Sequence, residues 1–133
     1  MTATSVLDSY ALIAFLENEP GADAVRELLL KAEEGSVGLA MCVVNLGEIW
    51  YSIARTTSPK TADRFVEEIQ GMAIEFVNAD WELTQQAAIY KARGKISYAD
   101  CFVAALAKSR NAEVVTGDAE FKALEGEVSV MWL

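Results

Sequence analysis

The stretch Ser5–Leu16, SVLDSYALIAFL, decides how the rest of the chain is read. Ser5 to Leu7 is a short apolar run that stops at Asp8, and Tyr10 to Leu16 is apolar on every side, as in a helix buried all round. A strand therefore hands over to a helix across one acidic residue. Outward from there the same alternation continues. Ala22 to Glu34 puts Ala24, Val25, Leu28 and Leu29 on one helical stripe, and the uncharged Val37 to Val44 reads as a buried strand. Helices follow at Asn45 to Arg55 and Lys60 to Gln70, then a short strand at Ile74 to Val77 and a helix from Trp81 to Ala92 with Asp80 as its N-cap. Arg93 to Ile96 reads as a basic loop, Ser97 to Ser109 as an alanine-rich helix, Glu113 to Thr116 as a strand, Asp118 to Leu124 as a short helix and Val128 to Trp132 as a last strand. Strand and helix alternating along the whole length predict an α/β fold, a three-layer α/β/α sandwich with a central parallel sheet. With no linker, repeat or low-complexity segment, residues 1–133 are expected to form one domain.

Composition narrows the chemistry. Of 133 residues, 53% are hydrophobic and 23% charged, enough for a sizeable core. The longest uncharged run, Gly35 to Gly47, is too short to span a bilayer, and the N-terminus lacks a basic region followed by an apolar core, so a cytoplasmic location without membrane attachment is expected. Cys42 and Cys101 lack C-x-x-C spacing and are expected to be buried thiols. The absence of histidine removes Ser-His-Asp and Cys-His catalysis and histidine-containing zinc sites together. Chemistry in this chain must run on carboxylates. Eleven Lys+Arg stand against 20 Asp+Glu, a formal charge of -9, so the surface repels phosphate backbones unless something positive mediates.

Four acids stand where strands hand over to helices, the region in which open α/β sheets bind ligands. They are Asp8 in V-L-D-S, Glu48 in N-L-G-E, Asp100 in S-Y-A-D and Asp118 in V-V-T-G-D. Helix starts also favour acids through capping and the helix dipole, and Asn45 with Glu48, and Ser97 with Asp100, fit the spacing of a capping box. Taken singly, each acid is better read as a cap. Four carboxylates converging on one edge, however, would raise one another's pKa unless cations share the site. Oxygen donors without histidine or thiolate suit Mg²⁺ or Mn²⁺, whose chemistry would be in-line hydrolysis of a phosphodiester.

The segments V-L-D-S-Y-A-L-I-A-F-L, L-G-E-I-W-Y, Y-A-D-C-F-V-A-A-L-A and V-V-T-G-D-A-E-F, in this order, resemble the motifs of PIN-domain ribonucleases, in particular VapC-type toxins of toxin–antitoxin pairs. The resemblance spans nearly the whole chain. It implies a PIN-like sandwich, Mg²⁺- or Mn²⁺-dependent endoribonuclease activity on RNA, a VapB-like antitoxin as inhibitor and a homodimer. Position by position it implies that Asp8, Glu48, Asp100 and Asp118 are the catalytic, metal-binding set, with Ser9 and Thr116 in support. By their residue types alone, Ser9 fits equally a first-turn helix residue and Thr116 an ordinary strand residue.

Other residues carry two readings. Lys91, Arg93 and Lys95 are candidates for gripping RNA phosphates, or a solvated helix end. Glu120 is better read as an exposed first-turn acid than as a further ligand acting through water. Among Tyr10, Phe15, Ile49, Trp50 and Tyr51 most are expected in the core, although an antitoxin segment laid over these early helices would use some of them. Two alternatives compete: a catalytically silent RNA-binding or scaffold domain of the same fold, and a receiver-like Mg²⁺-binding module. Against the second stand the missing acidic cluster after the first strand and the missing lysine after the last.

Overall fold

The computed structural model describes residues 3–133. Five strands, β1 (Ala3–Leu7), β2 (Val37–Cys42), β3 (Glu75–Val77), β4 (Glu113–Thr116) and β5 (Val130–Trp132), form one sheet in the order β3-β2-β1-β4-β5. Every neighbouring pair is parallel. Six α-helices fill the connections among the described residues: α1 (Ser9–Leu16), α2 (Ala22–Glu33), α3 (Val43–Thr56), α4 (Pro59–Gln70), α5 (Trp81–Arg93) and α6 (Tyr98–Arg110), with a 3₁₀ helix at Ala119–Leu124.

The three layers follow from side-chain alternation along the central strands. Val6, Ala40 and Val114 point to one face, where they pack with Leu83, Ala87 and Tyr90 of α5 and with Cys101 to Ala107 of α6. Their neighbours Leu7, Met41 and Val115 point to the other, against Leu12 of α1, Val25 of α2, Ile49 of α3 and Ile69 of α4. Both faces are covered, as an all-parallel sheet requires. Residues 100–107 of α6 are buried without a break, and four alanines let neighbouring elements approach that helix on all sides. Cys42 and Cys101 are free and buried. No helix among the described residues is long and apolar enough to cross a membrane.

The sheet order separates this fold from the receiver-like alternative, whose strands run 2-1-3-4-5. Here β1 is central, with β2 on one side and β4 on the other. Three local expectations also change. The strand expected over Val37 to Val44 ends at Cys42, and α3 begins at Val43 rather than Asn45. Consequently the Asn45–Glu48 capping box does not exist: Cys42 is the N-cap, and Glu48 sits in the second turn. Lys91 and Arg93 belong to the last turn of α5, which leaves Lys95 in the loop.

Candidate active site

The carboxyl ends of β1 and β4 lie side by side at the point where the chain's strand order reverses direction, so a crevice opens there. Asp8 follows β1 and caps α1, its Oδ1 accepting from Ala11 N at 2.9 Å. Thr116, the last residue of β4, donates its hydroxyl to Asp8 Oδ2. The same Thr116 Oγ1 accepts from Asp118 N at 2.9 Å. One buried hydroxyl thus holds two acids that stand 110 positions apart in sequence. Ser9 donates to Glu48 Oε1 at 2.6 Å, tying the start of α1 to the second turn of α3. Ser97 caps α6 by accepting from Asp100 N at 3.2 Å. Asp118 caps the 3₁₀ helix through Glu120 N.

Three of the four acids therefore sit at helix starts, and two of them, Asp8 and Asp118, cap with their side chains. Capping does not use up their chemistry. Asp100 is only 4% exposed, yet its Oδ2 has no hydrogen-bond partner among the described residues. Burial, followed by the charge and hydrogen bond of Asp118 and the charges of Asp8 and Glu48, pushes the Asp100 carboxyl up to about 8. Asp8, 1% exposed, is raised to about 7 by burial against the opposing pull of Thr116 and Ala11 N, with Asp118 and Glu48 adding repulsion. All four acids thus share one field. Asp8 and Asp100 are the buried floor, and Glu48 and Asp118 are half-buried above it.

Glu120 joins them. One oxygen from each of Asp100, Asp118 and Glu120 lies within 4.8 Å of the others, and Glu120 Oε1 accepts from Ser97 N at 2.8 Å, at the start of the helix carrying Asp100. The sequence signal for it was the D-x-E spacing after β4, which a 3₁₀ turn brings back toward the strand end. Asn45 was also misread. It is fully buried on α3, and its Nδ2 donates to Ala99 O at 3.1 Å, fastening the helix of Glu48 to the first turn of α6. The donor set is all carboxylate oxygen, and the unpartnered Asp100 Oδ2 is a buried acceptor in want of a positive charge. These residues fit a hard divalent cation.

Two of the three basic candidates are occupied elsewhere. Lys91 Nζ donates to Ile96 O at 2.9 Å, and Arg93 pairs with Glu127 at 3.1 Å. Lys95 is exposed and makes no ion pair or hydrogen bond among the described residues. Contrary to expectation, Tyr10, Trp50 and Tyr51 are substantially exposed, while Ile49 is core and Phe15 is half-buried.

The family model of the PIN domain matches residues 5–127. The chain belongs to the PIN-domain family. No relative was found among curated proteins. This PIN domain is similar in structure to DNA-bound VapBC from Salmonella typhimurium, at 24% identity and TM-score 0.74, covering 98% of each chain. It is similar to VapBC2 from Rickettsia felis bound to a DNA fragment from their promoter, at 16% identity and TM-score 0.72, covering 96% of this chain and 97% of that one. A third similar structure is VapC20 of Mycobacterium tuberculosis, a Sarcin-Ricin loop cleaving toxin, at 16% identity and TM-score 0.70, covering 90% of this chain and 93% of that one. At these identities the likeness speaks for the PIN fold.

Proposed function

We propose that this PIN domain is the endoribonuclease toxin of a VapBC-type toxin–antitoxin pair, hydrolysing RNA phosphodiester bonds with Mg²⁺ or Mn²⁺ in the acidic crevice. The observation that carries the reading is Asp100: a buried carboxyl with an unpartnered oxygen, raised to about 8 among three other acids. Such an arrangement is costly without a cation and costs little with one. Asp8, Glu48, Asp100 and Asp118 would hold the ion, with Glu120 at the rim. A divalent ion bound there supplies the positive potential that the chain's net charge of -9 lacks and stabilises charge on phosphate oxygens.

The chain's own residues set the geometry. Thr116 fixes Asp8 and the backbone of Asp118 in one relation, so the two strand ends cannot drift apart. Ser9 orients Glu48, and Ser97 with Asn45 sets the turn that carries Asp100. Family membership and the toxin–antitoxin complexes among similar structures support a VapB-like antitoxin as partner and action in the cytoplasm. Exposed Trp50, Tyr51, Trp81 and Ile89 offer apolar area for that partner and for a homodimer. Of the basic candidates, Lys95 is the one free to meet an RNA phosphate.

The test is cleavage of labelled structured and single-stranded RNAs by purified protein in Mg²⁺, Mn²⁺ or EDTA. Cleavage is expected with either ion, to stop in EDTA, and to fall at least about 100-fold in Asp8→Asn and Asp100→Asn. Full cleavage in EDTA, or in both variants, would reject the reading.

A further inference from the structure

Beside the acidic crevice lies a groove of about 340 Å³ lined by Ser9, Tyr10 and Ile13 of α1, Glu19 and Pro20 of the following turn, and Asp118. Sites for small ligands begin at about 300 Å³. Its central feature is the Tyr10 ring, 44% exposed although it stands next to two residues of the crevice. The ring is seated on the backbone of Gly117, so closely that a Cβ at that position would overlap its Cε1 and Cζ atoms. That fixes an aromatic surface one residue from Asp118. Glu19, across the groove, is exposed, and its carboxylate makes no hydrogen bond or ion pair among the described residues.

We infer that this groove takes one unpaired nucleobase of the RNA substrate, next to the bond that is cut, and that it prefers guanine. The inference rests on the nuclease reading above and names how that site selects its substrate. Three observations lead to it. First, the chain is strongly acidic, and Lys91 and Arg93 are engaged within the protein, so beyond Lys95 and a bound cation the substrate needs contacts that do not depend on charge. Stacking of a base on an aromatic ring is such a contact. Second, a base inside a duplex has no free face, so the occupant is single-stranded. Third, apart from the Tyr10 hydroxyl the polar side chains at hand accept and do not donate. Glu19 and Asp118 are carboxylates, and the Ser9 hydroxyl already donates to Glu48. Guanine presents two adjacent donors, N1–H and N2–H₂, to a carboxylate such as that of Glu19, whereas uracil presents one N–H between two acceptors that would go unpaired.

Binding is measured by fluorescence anisotropy on the full chain carrying Asp100→Asn, so that cleavage is suppressed. The probes are labelled single-stranded pentaribonucleotides that differ only in a central G, A, C or U. The G probe should bind tightest, by about fivefold or more over U. Adding Tyr10→Leu should weaken all four probes about tenfold, and Tyr10→Phe should leave them near the parent. Adding Glu19→Gln should abolish the G preference while leaving U unchanged. Unaltered melting temperature and Mn²⁺ affinity in the Tyr10 and Glu19 variants show that fold and crevice are intact. Equal binding of the four probes, or binding indifferent to Tyr10→Leu, overturns the inference. So does a Tyr10→Leu defect confined to a protein partner, which would make the groove a protein dock. A parent that binds G selectively but cuts no RNA would overturn the nuclease reading alone.

Discussion

Asp8 and Asp100 are both buried acids of one crevice, yet their hydrogen bonds differ in a way that separates their amide variants. Both oxygens of Asp8 are in use, one accepting from Ala11 N and the other from the Thr116 hydroxyl. An asparagine there must turn its NH₂ group toward one of those donors. Thr116 Oγ1 has a second lone pair that can take the amide N–H beside that of Asp118, but its own buried hydroxyl hydrogen then loses its acceptor. Asp8→Asn is therefore expected to destabilise the metal-free fold by about 1–3 kcal/mol. Asp100 presents the opposite case, since its Oδ2 has no partner and its neighbour Asp118 can accept from an amide. Asp100→Asn should leave the metal-free protein as stable as the parent or more so at pH 8. Chemical denaturation of both variants in EDTA checks the contrast. If Asp100→Asn unfolds first, that side chain's place at the start of α6 is structural and the repulsion argument fails. Thr116→Val removes a donor and an acceptor together and should cost about as much as Asp8→Asn, whereas Thr116→Ser keeps both bonds and should cost less.

Between α3 and α6 the decisive contact is a single buried amide. Asn45 Nδ2 donates to the carbonyl of Ala99, one residue before Asp100, while its own Oδ1 is buried and without a partner among the described residues. Asn45→Ala is expected to cost about 1–3 kcal/mol and to weaken Mn²⁺ binding several-fold, because the turn carrying Asp100 loses its tether to the helix carrying Glu48. Calorimetric titration with Mn²⁺ beside thermal melts reads the two effects separately, and unchanged affinity would confine Asn45 to a packing role. Asn45 also shows what the sequence could and could not disclose. The alternation of strands and helices, the layer count and the four acids were legible because period and handover residues are local signals. The β2–α3 boundary was not, since Val37 to Val44 is uniformly apolar and a buried strand and a buried helix start look alike in such a run. That two-residue error created a false capping box and hid the role of Asn45. The contacts of Thr116 and Glu120 are harder still to read, although the resemblance names Thr116 in support and Glu120 is the exposed first-turn acid expected. Their partners Asp8 and Ser97 lie 108 and 23 positions away, and only the sheet order brings them together. Tyr10 belongs to a group expected mostly in the core, because an all-apolar helix reads as buried on every side, whereas α1 leaves one side open beside the crevice.

For the molecule as a whole, the crevice makes stability depend on pH in an unusual direction. Most acids that fold into salt bridges titrate below their ordinary values, as Glu75 does through Arg110, and they stabilise the fold once pH exceeds the ordinary range. Asp8 and Asp100 do the reverse. Their carboxyls are raised from 3.8 to about 7 and about 8, so between those values and 3.8 the native protein holds protons that the unfolded chain has released. The number of protons bound is larger in the folded state, and stability therefore falls as pH rises. In EDTA the melting temperature should decline steadily from about pH 5 to about pH 8 and level off above it. A divalent cation inverts the balance, because it binds the ionised form that burial disfavours. Millimolar Mn²⁺ or Mg²⁺ should therefore add little at pH 5 and progressively more toward pH 8, where the metal-free fold is weakest. In Asp100→Asn the decline should be shallower and the gain from metal smaller. A melting temperature in EDTA that is flat or rises across this window would mean that the two carboxyls stay ionised without help, and the crevice would then have no need of an ion to complete it.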